Sequence, residues 1–179
     1  KEVKAHGTYG FPVLVSPERL SWFDTGEFPW HWHPEIEITK IVSGEMEYHI
    51  NEKIYNLEEG EGMFGNSRTL HAGYRRERKE CTYLSITFHP RLLYGYTSSL
   101  MQSKYMERIL QSPTLSSIHF TPDVSWQREI LERMEEIHHL RDKGPDSREL
   151  QMQIALMEIW LRIYEHADCP EEPEENGRD

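Results

Sequence analysis

In the stretch HWHPEIEI, residues 31–38, two histidines stand one residue apart and a glutamate follows the second after three intervening residues. His31, His33 and Glu37 differ by even numbers, so on a regular strand all three side chains project to one face, with Pro34 the point where that regularity can break. Imidazole nitrogens and a carboxylate oxygen suit Zn, Fe, Ni, Mn or Co, and a fourth donor completes a site with open positions for water or a ligand. His71 is the candidate for that donor. Glu35 shares the parity of Glu37 and is the alternative carboxylate if Pro34 shifts the strand, although spacing favours Glu37. A histidine pair on a strand is more often a pair of satisfied polar residues, and the same side chains would then line a polar pocket without metal.

Short strands have to position these groups. In GEMEYHI, Met46, Tyr48 and Ile50 alternate with polar residues, NEK makes a tight turn and IYNL runs back, which reads as a β-hairpin. TYLSITF alternates again, with Leu84, Ile86 and Phe88 on one side and Tyr83, Ser85 and Thr87 on the other, and YGFPVLV contributes Tyr9, Phe11, Val13 and Val15. Many such runs, separated by Gly, Asn and Pro turns, predict a barrel or sandwich up to about residue 89. Trp30 and Trp32 have the opposite parity from the histidines and are expected on the outer face. Tyr48, Phe64 and Tyr83 are candidate ligand-binding residues inside the barrel, where aromatic rings give apolar walls and a hydroxyl; core packing is the ordinary alternative for each.

Past His89 and Pro90 the period changes to that of helices. Leu92, Leu93, Tyr96 and Leu100, then Tyr105, Met106, Ile109 and Leu110, fit short helical stretches, followed by an extended SSIHF. Trp126, Ile130, Met134 and Ile137 form one buried stripe of a helix that ends at DKGP. Asp146 or Ser147 caps the last helix, where Leu150, Ile154, Met157, Leu161 and Tyr164 form one stripe and Gln153, Leu156, Trp160 and Ile163 a second. That apolar face exceeds what one neighbouring helix covers. It reads equally as packing on both the barrel and the preceding helix, or as a subunit interface.

Composition limits the function classes. The 179 residues carry 31 acidic and 20 basic side chains, a formal charge of −11, which leaves no basic face for a phosphate backbone. YRRERKE, from Tyr74 to Glu80, mixes both signs and reads as a solvated hairpin. No apolar run approaches the roughly eighteen residues of a membrane span, the start lacks a signal-peptide layout, and a cytoplasmic location is expected. Cys81 and Cys169 show no framework spacing and read as free thiols. There is no nucleophile elbow, phosphate-binding glycine loop or dinucleotide fingerprint.

In order the chain shows Gly26, His31-x-His33, Glu37 and Gly44, then Gly60, Asn66, Arg68 and His71. This resembles the two-part cupin motif, with Gly26 one residue too close and with Asn66 and Arg68 in place of the usual Pro and Gly; all four ligand positions of the family remain. More widely, HWHPEIEITKIVSGEMEYHINEKIYNLEEGEGMFGNSRTLH, CTYLSITFHPRLLYG, SKYMERIL and the closing helices resemble the N-terminal domain of AraC-family transcriptional regulators. The resemblance implies a mainly β protein with appended α-helices: a cupin (antiparallel jelly-roll) effector-binding barrel at 1–89, a helical dimerisation segment at 90–168, and an acidic linker or tail at 169–179 leading to a helix-turn-helix domain that this chain lacks. It further implies a small-molecule effector, such as a sugar, a divalent transition metal (Zn, Ni, Fe or Mn) on His31, His33, Glu37 and His71, a homodimer, contact with DNA only through the missing domain, and no membrane contact. On this reading the chain is not an enzyme. The rival is a stand-alone metal-dependent cupin enzyme, a dioxygenase or sugar isomerase, but the long helical part after residue 90 favours the regulator.

Overall fold

Eight strands form ahead of residue 89, and a ninth arises from the extended piece among the helices. In a computed structural model, which describes residues 5–77 and 79–168, they are β1 (Val13–Arg19), β2 (Glu27–His31), β3 (Ile36–Ser43), β4 (Glu45–Ile50), β5 (Lys53–Glu58), β6 (Gly62–Gly65), β7 (His71–Arg75), β8 (Thr82–Phe88) and β9 (Ser117–Phe120). The expected linker with Cys169, and Arg78 of the basic cluster, lie outside the described residues. One antiparallel sheet has the order β1-β8-β3-β6-β9 and the other β2-β7-β4-β5. Strands distant in sequence are neighbours in space, the interleaving that defines a jelly roll. The expected β4–β5 hairpin is present, with Glu45 opposite Glu58 and Ile50 opposite Lys53. Gly44 turns the chain from one sheet to the other at φ 79°, a left-handed conformation that side chains disfavour.

YRRERKE is not a hairpin. β7 pairs with β2 and β4 whereas β8 pairs with β1 and β3, so the segment crosses between sheets. Glu45 steadies the crossing, with Arg76 Nη1 at 2.6 Å and Lys79 Nζ at 3.6 Å.

Two cores explain why so many strand residues are apolar. Between the sheets lie Leu20, Phe28, Ile41, Met46, Tyr48, Ile50, Leu57, Met63 and Tyr83. Cys81 belongs to the same core; it forms no disulfide, and burial pushes its thiol up to about 12. On the other face of the five-stranded sheet, Val13, Val15, Ile36, Ile38, Phe64, Leu84, Ile86 and Phe88 meet the helices. Both faces of that sheet are therefore buried, as the unbroken burial of β6 shows.

The helical part comprises α1 (Arg91–Tyr94), a π-helical turn (Met101–Met106) running into α2 (Glu107–Leu110), then α3 (Ser125–Lys143) and α4 (Arg148–His166). Of the expected α3 stripe, Ile130, Met134 and Ile137 are fully buried, with Trp126 packed at its edge. On α4 it is Leu156, Trp160 and Ile163, with Met152, Ala155 and Ile159, that face the core. Trp160 donates from Nε1 to Tyr105 O at 2.9 Å, and Gln153 from Nε2 to Leu92 O at 2.8 Å. The other stripe stays open, with Leu150, Ile154 and Leu161 at 61%, 51% and 48% exposure. Among the described residues no helix is long and apolar enough to cross a membrane.

Candidate functional site

His31, His33, Glu37 and His71 each offer a ligand atom, and the four atoms lie within 4.8 Å of one another. The chain brings them together differently from the single strand face that parity predicts. β2 ends at His31, residues 32–35 turn a corner at Pro34, and Glu37 belongs to β3 in the opposite sheet. A bulge between Phe28 and His31 sets His31 opposite His71 on β7, with their ring centroids 4.2 Å apart. The site thus draws side chains from both sheets and from the corner between them.

Backbone acceptors fix two of the rings. His31 Nδ1 lies 2.8 Å from Pro29 O and His71 Nδ1 lies 3.0 Å from Thr69 O. A carbonyl only accepts, so each Nδ1 carries its proton there and leaves the lone pair to Nε2. His33 is buried, with Nε2 at 3.2 Å from Glu37 Oε2, and His71 Nε2 is 3.7 Å from the same oxygen. Burial pushes the Glu37 carboxyl up, but hydrogen bonds and charge from His33 and His71 outweigh it and hold the group well below the usual carboxylate range. Thr39 Oγ1 donates to Glu37 Oε1 and Thr87 Oγ1 to Oε2, each at 3.3 Å. An ionised carboxylate beside three imidazoles is a donor set that can hold a divalent transition metal.

The loop before His71 is held from outside the barrel. Asn66 donates from Nδ2 to Ile109 O at 2.7 Å and to Leu115 O at 2.9 Å, and its Oδ1 accepts Ser67 N at 2.8 Å. Arg68, where cupins usually have Gly, takes φ 63° and donates its N–H to His33 O at 2.9 Å. This loop therefore links the helical segment to two of the histidines.

Beside the four groups opens a cavity of about 500 Å³, with His31 and Glu37 in its wall, a volume within the ordinary range for small-molecule sites. Ser16 on β1 and Ser85 and Thr87 on β8 give it a hydroxyl wall, and Phe23, Phe28 and Tyr83 an aromatic one. Of the three expected aromatic lining residues, Tyr83 is in this wall. Tyr48 lies behind the site, its ring parallel to that of His71 at 6.2 Å, and burial followed by the charge of Glu37 raises its hydroxyl well above the ordinary value. Phe64 is elsewhere: it packs in the helix-side core, 6.5 Å from the Trp160 ring, because position 64 on β6 points away from the barrel interior. Trp30 is 43% exposed, 5.7 Å from the ring of His49 on the outer surface.

Sequence reasoning missed Ser16, Phe28 and His6, all of which line the cavity. Ser16 and Phe28 sit on strands whose register only the fold supplies, and His6 lies before any patterned element. With His33 and Glu35, His6 makes a second group of metal-capable side chains.

A jelly-roll barrel with an internal His₃Glu cluster and a helical extension defines a cupin-type ligand-binding domain. Its sequence matches the model of the AraC-like ligand binding domain over residues 18–159, and the chain belongs to that family. It is similar to the uncharacterized HTH-type transcriptional regulator YdeC of Bacillus subtilis (strain 168), 28% identical over 163 residues, which cover 91% of this chain and 55% of that protein. The chain thus spans about half the length of this curated relative. Among solved structures it is similar to a double-stranded β-helix protein from Klebsiella pneumoniae (19% identity, 42% of this chain and 66% of that one, TM-score 0.39). It is also similar to a cupin-2 domain protein from Shewanella frigidimarina (20% identity, 41% and 68%, TM-score 0.36).

Proposed function

We propose that this chain is the effector-sensing and dimerisation part of an AraC-type transcriptional regulator. It binds a small molecule beside a divalent transition metal held by His31, His33, Glu37 and His71. The observation that carries the reading is the cavity itself, which has two of the four metal-capable side chains in its wall and lies in a sheet whose other face is packed on α3 and α4. A bound metal supplies a Lewis-acidic anchor for an oxygen or nitrogen of the effector. Ser16, Ser85 and Thr87 offer hydroxyls to the rest of that molecule, and Phe28 and Tyr83 offer an apolar wall. An effector that fits one arrangement of a dimer better than another shifts the population toward it, and so changes how DNA-binding domains beyond this chain are spaced. DNA contact belongs to those domains, since this chain carries a formal charge of −11.

Elemental analysis of untagged protein, followed by metal titration, tests the site. About one ion per chain, lost in His33→Ala, is the expected result; substoichiometric metal that the substitution leaves unchanged would sink it. A thermal-shift screen of the metal-loaded protein then finds the effector class. A metal-dependent cupin enzyme is the second reading, because His31 and Glu37 face a cavity large enough for a substrate. Metal-dependent turnover of a small diketone, thiol or sugar phosphate, abolished by His71→Ala, would establish it in place of the sensor.

A further inference from the structure

We propose that Glu35 is a positioning residue of the metal centre and that His6 secures it, so that the segment ahead of β1 helps to hold the metal. The inference rests on reading His31, His33, Glu37 and His71 as the ligands. A neutral imidazole that ligates through one nitrogen keeps a proton on the other, and that N–H needs an acceptor when buried. His31 and His71 have backbone carbonyls for this purpose. His33 has none: its Nδ1 is buried without a hydrogen-bond partner, and so is Glu35 Oε2.

These two orphaned atoms face each other across 3.5 Å. A shift of a few tenths of an ångström makes a normal hydrogen bond, so metal at Nε2 and Glu35 at Nδ1 each favour the other. Glu37 meets the opposite nitrogen of the same ring, Nε2, at 3.2 Å. The two carboxylates that share parity in the sequence therefore divide the work, Glu37 with the metal and Glu35 behind the ring. His6 Nδ1 lies 3.3 Å from the same Glu35 oxygen, its side chain is only 5% exposed, and its ring is 4.7 Å from that of His33. Unlike the two backbone carbonyls, Glu35 would offer a carboxylate acceptor, the kind of outer partner that orients a ligating imidazole.

The test measures Zn(II) affinity by competition with a chromophoric chelator, the visible spectrum of the Co(II) form, and melting of the metal-free protein, for Glu35→Ala, Glu35→Gln and His6→Ala. Glu35→Ala is expected to weaken Zn(II) binding about 10- to 100-fold. Glu35→Gln, whose amide oxygen still accepts from His33, should lose less. Both should shift the Co(II) bands while metal-free Glu35→Gln melts with the wild type. His6→Ala should fall in the same direction by a smaller factor. Wild-type affinity and spectrum in Glu35→Ala would overturn the proposal while the metal site stands. A Glu35→Gln loss as deep as that of Glu37→Gln would make Glu35 a ligand, and two ions per wild-type chain with one lost in His6→Ala would make the second cluster its own site; either result overturns the positioning role. If the wild type binds no metal that His33→Ala removes, the underlying site reading fails, and it does so before any Glu35 variant is measured.

Discussion

At Glu37 burial and hydrogen bonding oppose each other, and the balance sets how the metal-free protein responds to acid. Its carboxyl is desolvated, which favours the protonated form, yet contacts with His33 and His71 hold it well below the ordinary carboxylate value. A folded-state value below the unfolded one means that ionised Glu37 stabilises the fold above the ordinary range, and that this contribution disappears as pH falls through the lowered value. Glu37→Gln should therefore melt below the wild type at pH 7, and the two melting curves should converge as the pH is lowered; thermal unfolding followed by circular dichroism between pH 7 and pH 3 checks this. A difference that grows toward low pH would contradict the assignment. The candidate ligand cluster was legible because metal chemistry needs particular side chains at particular spacings, and His31, His33, Glu37 and His71 display both. His6 and the second role of Glu35 were not. A hydrogen bond behind a ligand has no fixed spacing, and residues 5–8 carry no periodic pattern that would bring His6 over the barrel.

Among the elements, alternation revealed β1, β4, β5 and β8 but not which side of each faces which core. In β8 the apolar side, Leu84, Ile86 and Phe88, looks to the helices, while Tyr83, Ser85 and Thr87 line the cavity. A small barrel that holds a ligand spends its polar residues inward, the reverse of a sheet with one solvated face. The same logic moves Phe64 out of the cavity, since helices cover the sheet there and both faces of β6 are buried. Pro34 marked a break in regularity, but the change of sheet there and the crossing at YRRERKE were hidden for a related reason: a switch between sheets depends on the pairing of distant strands, as in β1 beside β8. Phe64→Ala should cost about 3 to 5 kcal/mol of stability, the usual range for emptying a packed aromatic site, and leave metal affinity unchanged. Ser85→Val, on the cavity side, should change effector affinity with little effect on stability. Urea unfolding and Zn(II) titration of the two variants separate the faces; weakened Zn(II) binding in a still-folded Phe64→Ala protein would put that ring in the site after all.

On the scale of the whole molecule, the proposed sensing role puts α4 between ligand and output. Its inner stripe joins the core between the helices and the sheet that carries Glu37, with Trp160 against Phe64, and its outer stripe presents Leu150, Ile154 and Leu161 along a groove with Met101 and Tyr105. Helical spacing showed both stripes, and the structure turns the one with Trp160 inward, where that ring lies 6.5 Å from Phe64 of β6 and its indole donates to Tyr105 O. In the proposed dimer a twofold-related copy would cover this apolar row, each residue meeting its symmetry mate or a near neighbour across the axis. A charge introduced there appears twice, is desolvated twice and repels itself. Leu161→Glu should accordingly weaken the dimer about 100-fold or more, equivalent to about 2.7 kcal/mol, which sedimentation velocity at micromolar protein would record as a shift from dimer to monomer. The monomer should keep wild-type Zn(II) affinity, because none of the four ligand positions lies on α4. A dimer that survives both Leu161→Glu and Ile154→Glu would move the interface to another face, and effector binding would then have to reach the partner by a route that does not run through α4.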